Sequence, residues 1–492
     1  MIFMNKLILF FSLIGLSAQA APVNILMITV DDMSADSIGV FGSKLSGTTP
    51  NIDLLASQGM RFSHAHMTVG NCMPGRNVLF SGLISHNNKV EGFYQVKNPE
   101  WPHMVDLMKK AGYFTGIRGK VSHSTPYQPY GWDAVLDTLP DGSKGHFKNA
   151  ASFGISTLDG IRKAKDANKP FCLIVNISDP HKPFWSQVRG REKDTNIPSR
   201  IFKPHEMPIP GFLFDDKKVR EELALYYSSV RRADDCVGKI LEALDSSGEA
   251  ENTVVIFLSD HGMPLPFAKT QLYHHSTHSP WIIRWPGVTR SGSVDDVHMV
   301  SAVDMLPTLL DIVGAKKPNR LDGRSFLSVI RGQQQSGRDH VFKEYNENAG
   351  ASRDPMRAVQ TKQYLYLFNP WSNGQRVFAT ATTGTVTYRR MAALAKSNSH
   401  LAKRLAMYKY RVPEELYDIS ADPDCLNNII DSSEHKTVLN QLQDRLKGWM
   451  KKTEDPMLTV FEQRNDAEFR ESVIQQQEQE SMARRAKRKK KK

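Results

Sequence analysis

Cysteine is scarce in this chain, with only four among 492 residues, at positions 72, 172, 236 and 425. Four are too few to staple a chain of this length, so a disulfide framework is excluded as the basis of its fold. No apolar run is long enough to span a bilayer. The composition also lacks the low hydrophobicity of a disordered chain. No internal repeat is visible, and low complexity is confined to the C-terminal tail. What is there is ordinary globular material, 40% hydrophobic and 24% charged. Its length suits two to three domains, or one large α/β domain with a smaller companion.

Acid is missing from one place in particular. Residues 484–492, RRAKRKKKK, hold eight Lys or Arg and no Asp or Glu. The net charge of +12 is mostly theirs, since the remainder balances 56 basic residues against 52 acidic ones. The basic tail from 461 to 492 therefore reads as solvated or frayed, suited to an acidic polysaccharide or a membrane surface. Nucleic acid is not the expected partner, because the N-terminus carries an export signal. Lys6 precedes the run LILFFSLIGL, and Ala18-Gln19-Ala20 offers small residues for cleavage after Ala20. Residues 1–20 thus read as a secretory signal peptide, which places the mature protein in a periplasmic or secreted compartment without a transmembrane anchor.

Two of the cysteines read as core residues, Cys172 in the strand-like FCLIVNIS and Cys236 in a helix. Cys72 is different. In NCMPGRNVLF it stands between Asn71 and Met73, just before a run that reads as the start of a helix, where packing alone gives no reason for it.

Four apolar runs lack the polar alternation of half-exposed strands: 23–30 (VNILMITV), 113–119 (YFTGIRG), 171–178 (FCLIVNIS) and 253–259 (TVVIFLS). Helical patterns lie between them, including the long REELALYYSSVRRADDCVGKILEALDSSG with its terminal glycine. This alternation predicts an α/β fold with a mostly parallel sheet covered by helices on both faces, over residues 21–340. Beyond it, MRAVQTKQYLYLFN, EELYDIS and the amphipathic TVLNQLQDRLKGWMKKT predict a smaller α+β domain with an antiparallel sheet at 341–460.

Ligands of open α/β sheets gather beyond the carboxyl ends of the strands. Here those positions hold Asp31 and Asp32, Lys120 and His123, Asp179 and His181, and Asp260 and His261. Paired acids at one strand end and Asp-His at another form an oxygen-rich site that suits a hard cation such as Ca²⁺ or Mg²⁺, with catalytic zinc as the alternative. Either pair alone reads equally well as a helix cap or a turn.

The segment TVVIFLSDHGMPLPFAKTQLYHHSTHSPWIIRWPG, taken with Asp31-Asp32 and NCMPGR, resembles the type I, formylglycine-dependent sulfatases of the alkaline-phosphatase-like superfamily. TPNIDLLASQGMRFSHAH, AGYFTGIRGK, SDPHKPF, YYSSVRRADDCVGKIL and ELYDISADPDCLNNI resemble sulfatase segments in family order. DPHKPF, DHGMPLPFAKTQLY and KYRVPEELYDISADP are most similar to the heparan N-sulfatase (N-sulfoglucosamine sulfohydrolase) branch, while GKVSH and SDHG are similar to iduronate 2-sulfatases.

The resemblance implies that Cys72, in a Cys-x-Pro-x-Arg core completed by Pro74 and Arg76, is oxidised to formylglycine (3-oxoalanine) by a formylglycine-generating or sulfatase-maturating enzyme during export. Its hydrate would attack sulfur. It further implies that Asp31, Asp32, Cys72, Asp260 and His261 bind one Ca²⁺, His261 standing where many relatives have Asn. Arg76 would fix the diol, Lys120 and Lys269 would neutralise sulfate oxygens, His181 would protonate the leaving group and His123 would take the proton that releases sulfate. Asp179, His275 and His278 are candidate substrate contacts. Gly75 departs from the small hydroxylated residue or alanine common between Pro and Arg. The expected substrate is a sulfated glycan, either heparan-type N-sulfoglucosamine or an O-sulfated algal type. Two rivals remain open: a phosphodiesterase or phosphonate hydrolase of the same superfamily, and a non-catalytic glycan-binding relative.

Overall fold

The computed structural model describes residues 22–187, 194–350 and 352–489. The expected signal peptide, its cleavage site and the last three lysines lie outside these residues. Ten strands precede residue 340: β1 (Asn24–Asp31), β2 (Met60–Phe62), β3 (Ala65–His66), β4 (Phe114–Arg118), β5 (Ala134–Val135), β6 (Phe171–Pro180), β7 (Thr253–Ser259), β8 (Trp281–Arg284), β9 (Ser293–Asp295) and β10 (Val300–Ser301). Eight of them form one sheet in the order β5-β4-β6-β1-β7-β8-β2-β9. The run from β5 to β7 is parallel, whereas β8 is antiparallel to both of its neighbours.

The four apolar runs read from the sequence are the adjacent strands β4-β6-β1-β7 at the centre of this sheet. Every residue of β1 and β7 is buried, as a strand covered on both faces requires. Helices Ala150–Asp166 and Lys217–Ser246 pack on each other and on β6. The longer one is N-capped by Asp216, whose side chain accepts from the Lys218 N–H, and the chain leaves it through Gly248 in the left-handed region (φ 76°).

A second, antiparallel sheet follows in the order β11 (His340–Glu347), β12 (Arg353–Thr361), β13 (Tyr364–Phe368), β14 (Glu414–Asp418). Helix Lys436–Lys452 packs on β12 and β13, burying Leu439, Leu442, Leu446 and Met450. One apolar cluster runs continuously from the first sheet into the second. The tail departs from the expectation of a solvated segment. Residues Ala467–Lys489 form a helix that packs against β12, with Ile474 fully buried and Arg470 and Ser481 nearly so. Apolar positions spaced through its Gln/Glu-rich half give it a packing face that composition alone conceals.

Candidate active site

The carboxyl ends of four central strands converge on one buried point. β1 brings Asp31 and Asp32, β7 is followed by Asp260 and His261, β4 by Lys120, and β6 by His181. Asp32 (φ 73°) and Lys120 (φ 50°) both lie in the left-handed region, a costly conformation for residues with a Cβ and one that clusters at functional sites. The Asp32 N–H donates to Asp260 Oδ1 at 3.2 Å, tying the two loops together. The capping alternative for Asp31-Asp32 fails, because the following turn, Ala35–Ser37, receives no side-chain cap.

Cys72 opens helix Cys72–Ser81, as the sequence suggests, and the Asn71 side chain accepts its N–H at 3.1 Å. Its sulfur lies 3.2 Å from His261 Nε2, 3.5 Å from Asp31 Oδ1 and 3.8 Å from Lys269 Nζ. Burial, followed by the Asp31 carboxylate, pushes the thiol well above its ordinary pKa, so this group is a poor thiolate nucleophile. Gly75 has a packing reason. A Cβ there would stand 2.9 Å from the Val69 carbonyl oxygen, so even alanine would need the backbone to yield.

Arg76 is fully buried but does not touch the sulfur. Its Nε and Nη2 reach Asp260 Oδ2 at 3.0 and 2.9 Å, and its Nη1 reaches Thr29 Oγ1 at 2.8 Å and Asn176 Oδ1 at 2.7 Å. The guanidinium therefore aims Asp260, and the role expected for it at residue 72 is at most indirect. Thr29 and Asn176 are paired across β1 and β6. Sequence reasoning missed both, although a Thr and an Asn inside runs buried on both faces are a readable signal that some buried charge needs them.

One ligand atom each from Asp31, Asp32, Cys72 and His261 lies within 4.8 Å of the others, and all four residues are buried. Lys120 pairs with Asp31 Oδ2, and Lys269 pairs with Asp32 Oδ1 at 2.6 Å. Asp32 Oδ2 is buried without a hydrogen-bond partner. His261 Nδ1 sits 3.0 Å from the Gly262 carbonyl, and its Nε2 lies 3.2 Å from Asp32 Oδ1 and 3.5 Å from Asp260 Oδ1. The donor set is thus complementary to a cation. His261, the weaker assignment on sequence grounds, faces this point more directly than Asp260, which Arg76 holds.

Burial pushes Asp31 and Asp32 up, yet the surrounding cations outweigh it, Lys120 foremost for Asp31 and Lys269 for Asp32, so both carboxyls sit below their ordinary range. Asp260 is raised by burial and by Asp31. Burial and then Lys120 lower His123 to about 3, and burial also lowers His181 against the pull of Asp32 and Asp31. Both imidazoles are therefore neutral at pH 7. His181 Nδ1 is 2.6 Å from the Lys182 carbonyl, so its Nε2 is the nitrogen free to exchange a proton, and His123 Nδ1 is buried without a partner.

The remaining candidates lie elsewhere. Asp179 is not a substrate contact: it is fully buried between Arg232 (2.5 Å) and Lys148 (2.8 Å) and serves as a structural anion. His275 pairs with Asp424 at 3.0 Å. His278 reaches the Ser63 carbonyl at 2.9 Å and stacks on His274. Neither makes contact with the convergent groups.

Comparison with known proteins agrees with this geometry in two steps. In overall fold the chain superposes on a solved 2-O GAG sulfatase with a TM-score of 0.65 at 21% identity, covering 88% of this chain and 93% of the other. The architecture is thus shared with that solved sulfatase. At the level of sequence, the sulfatase family model matches residues 23–315, and the model of the N-sulphoglucosamine sulphohydrolase C-terminal region matches 260–373. The chain belongs to the sulfatase family and is a sulfuric ester hydrolase. It is 29% identical to the N-sulphoglucosamine sulphohydrolase of Homo sapiens over 89% of this chain and 92% of that protein. An ulvan-active sulfatase of Formosa agariphila is 26% identical over 88% and 81%.

Proposed function

We propose that this protein removes sulfate from a sulfated glycan, using a formylglycine made from Cys72 and one bound divalent cation, Ca²⁺, held by Asp31, Asp32, His261 and the residue at 72, with Asp260 alongside. The observation that carries the reading is a cysteine at a helix start, 3.2 Å from the cation-facing nitrogen of His261. When bound, the cation supplies charge compensation and polarisation at residue 72, and the hydrated aldehyde supplies both an attacking oxygen and a second hydroxyl that releases sulfate.

The chain's own groups do the rest. Asp31, Asp32 and Asp260 balance Lys120, Lys269 and Arg76, so adding a divalent cation leaves the site net positive, the sign that holds a sulfate monoanion. Lys120 and Lys269 neutralise the sulfate oxygens. The anionic substrate also raises the pKa of His181, whose Nε2 then donates to the leaving oxygen or nitrogen. His123, neutral down to about pH 3, accepts the proton of the second hydroxyl.

Similarity to the human N-sulphoglucosamine sulphohydrolase favours a sulfamate on glucosamine, while the Formosa enzyme supports an O-sulfated algal glycan as the second reading. Both fit export through the signal at residues 1–20. Mass spectrometry of the peptide spanning Cys72 is expected to show the aldehyde, and Cys72→Ala to lose turnover of sulfate esters and sulfamates. An unmodified thiol in active enzyme, or faster turnover of a phosphodiester than of any sulfate, would sink the reading.

A further inference from the structure

The helix Ala467–Lys489 ends beside the site, and the contacts that place it there form an arc between the two neutral histidines. The arc begins at His123, whose ring meets the edge of Phe93 with centroids 5.5 Å apart. Phe93, Glu347, Asn348, Arg484 and Arg485 then line a small cavity of about 50 Å³. From it, Asn348 Nδ2 donates to the Ala379 carbonyl at 2.8 Å. Two residues further on, Lys182 Nζ donates to the Ala381 carbonyl at 3.1 Å, next in sequence to His181. The basic end of the helix is thus linked through Phe93 to His123, and through Asn348 to the segment that Lys182 holds.

This end is fixed in place. Arg484 pairs with the buried Glu347 and lies 4.4 Å over the Tyr94 ring, and Arg485 Nη1 donates to the Gly350 carbonyl at 2.7 Å. Glu347 is engaged by Arg484, Ser481 and Arg353. Arg485 and Lys487 are exposed, and neither meets a carboxylate among the described residues. No acid follows Glu480 in the sequence.

We propose that this helix end extends the substrate site, with Arg485 and Lys487 holding sulfate or carboxylate groups on the sugars that neighbour the reacting one in a glycan chain. The inference rests on the sulfatase reading above and specifies its substrate as a polyanionic chain rather than a lone sulfated sugar. Positive charge anchored on this helix end acts on a polymer that enters the site and leaves a small substrate untouched, and salt screens it.

The test compares wild type with Arg485→Glu/Lys487→Glu, and with the milder Lys487→Gln should the double variant not fold. Substrates are an aryl sulfate and a heparin-length sulfated polysaccharide, at low and high salt. Expected is a rise of about tenfold in KM for the polymer with kcat unchanged, no change for the aryl sulfate, and closure of the gap in high salt. Equal loss on both substrates, or no change on the polymer, would overturn the proposal. Elution of the same proteins from immobilised heparin reads it without turnover, so a wild type silent in every assay sinks the sulfatase reading while leaving this measurement decisive. Anionic vesicles or duplex DNA competing as well as heparin for the helix end would overturn the choice of ligand.

Discussion

Lys269 and Asp179 are both buried charges, yet their surroundings predict opposite phenotypes. Lys269 stands 2.6 Å from Asp32 and 3.8 Å from the Cys72 sulfur, so Lys269→Ala is expected to lower kcat by about 10²–10³, as loss of one donor to developing charge does elsewhere. Asp179 is enclosed by Arg232 and Lys148. Asp179→Asn leaves Lys148 without its carboxylate and Arg232 with Asp194 alone, and is expected to cost about 3 kcal/mol of stability while KM in the surviving folded enzyme stays near wild type. Denaturant melts and steady-state kinetics on both variants check this, and a KM effect for Asp179→Asn at full stability would restore it as a substrate contact. At this scale the sequence was informative about residue type and blind to direction. It could point to Asp179 and Arg76 as strand-end or motif residues, but which neighbour each side chain faces depends on segments far along the chain, Arg232 for the one and Asp260 for the other.

Among the elements, the join between the two sheets is the most instructive. Glu344 on β11 accepts from the imidazole of His86, whose Nδ1 lies at 2.7 Å, and Arg357 on β12 pairs with Asp455 beyond helix Lys436–Lys452 at 2.5 Å. Burial pushes Glu344 up, but His86 and then Arg357 hold it far below its ordinary value, while Glu344 raises His86 against burial. The carboxylate contributes stability above its unfolded pKa of about 4.3, lost only as pH falls through its depressed folded value. The imidazolium contributes below its unfolded pKa of about 6.5, lost as pH rises through its raised folded value. The full effect therefore spans roughly pH 4.5 to 6.5. Glu344→Gln is expected to destabilise by about 3 kcal/mol at pH 6 and by less at pH 9. Urea unfolding at the two pH values measures it, and an equal loss at both would mean that His86 carries no charge.

For the whole molecule, a cation held by the converging acids, as proposed above, would link its binding to folding. A ligand that binds only the folded state at a hundred times its Kd stabilises by about 2.7 kcal/mol. Chelated protein is therefore expected to unfold at lower denaturant and to recover with Ca²⁺, whereas no shift with Ca²⁺, Mg²⁺ or Zn²⁺ would remove the cation from the site. How far the sequence reached follows from range. Apolar runs and capping residues act over a few positions, so β1, β4, β6, β7, the strand character of β12 to β14 and helix Lys436–Lys452 were legible from the sequence. The tail was misread because its net charge dominates its composition, while the few apolar side chains that dock it matter only against β12. The sequence by itself determined the α/β class and the family and pointed to the Asp, His and Lys residues after the strands, because periodicity and motif spacing are local properties of the chain. Only the tertiary structure decided that His261 rather than Asp260 faces Cys72, that Asp179 is enclosed, and that the basic tail docks as a helix against β12 and Glu347. Each of those depends on contacts between segments far apart in sequence, and the strand order β4-β6-β1-β7 is what brings them together.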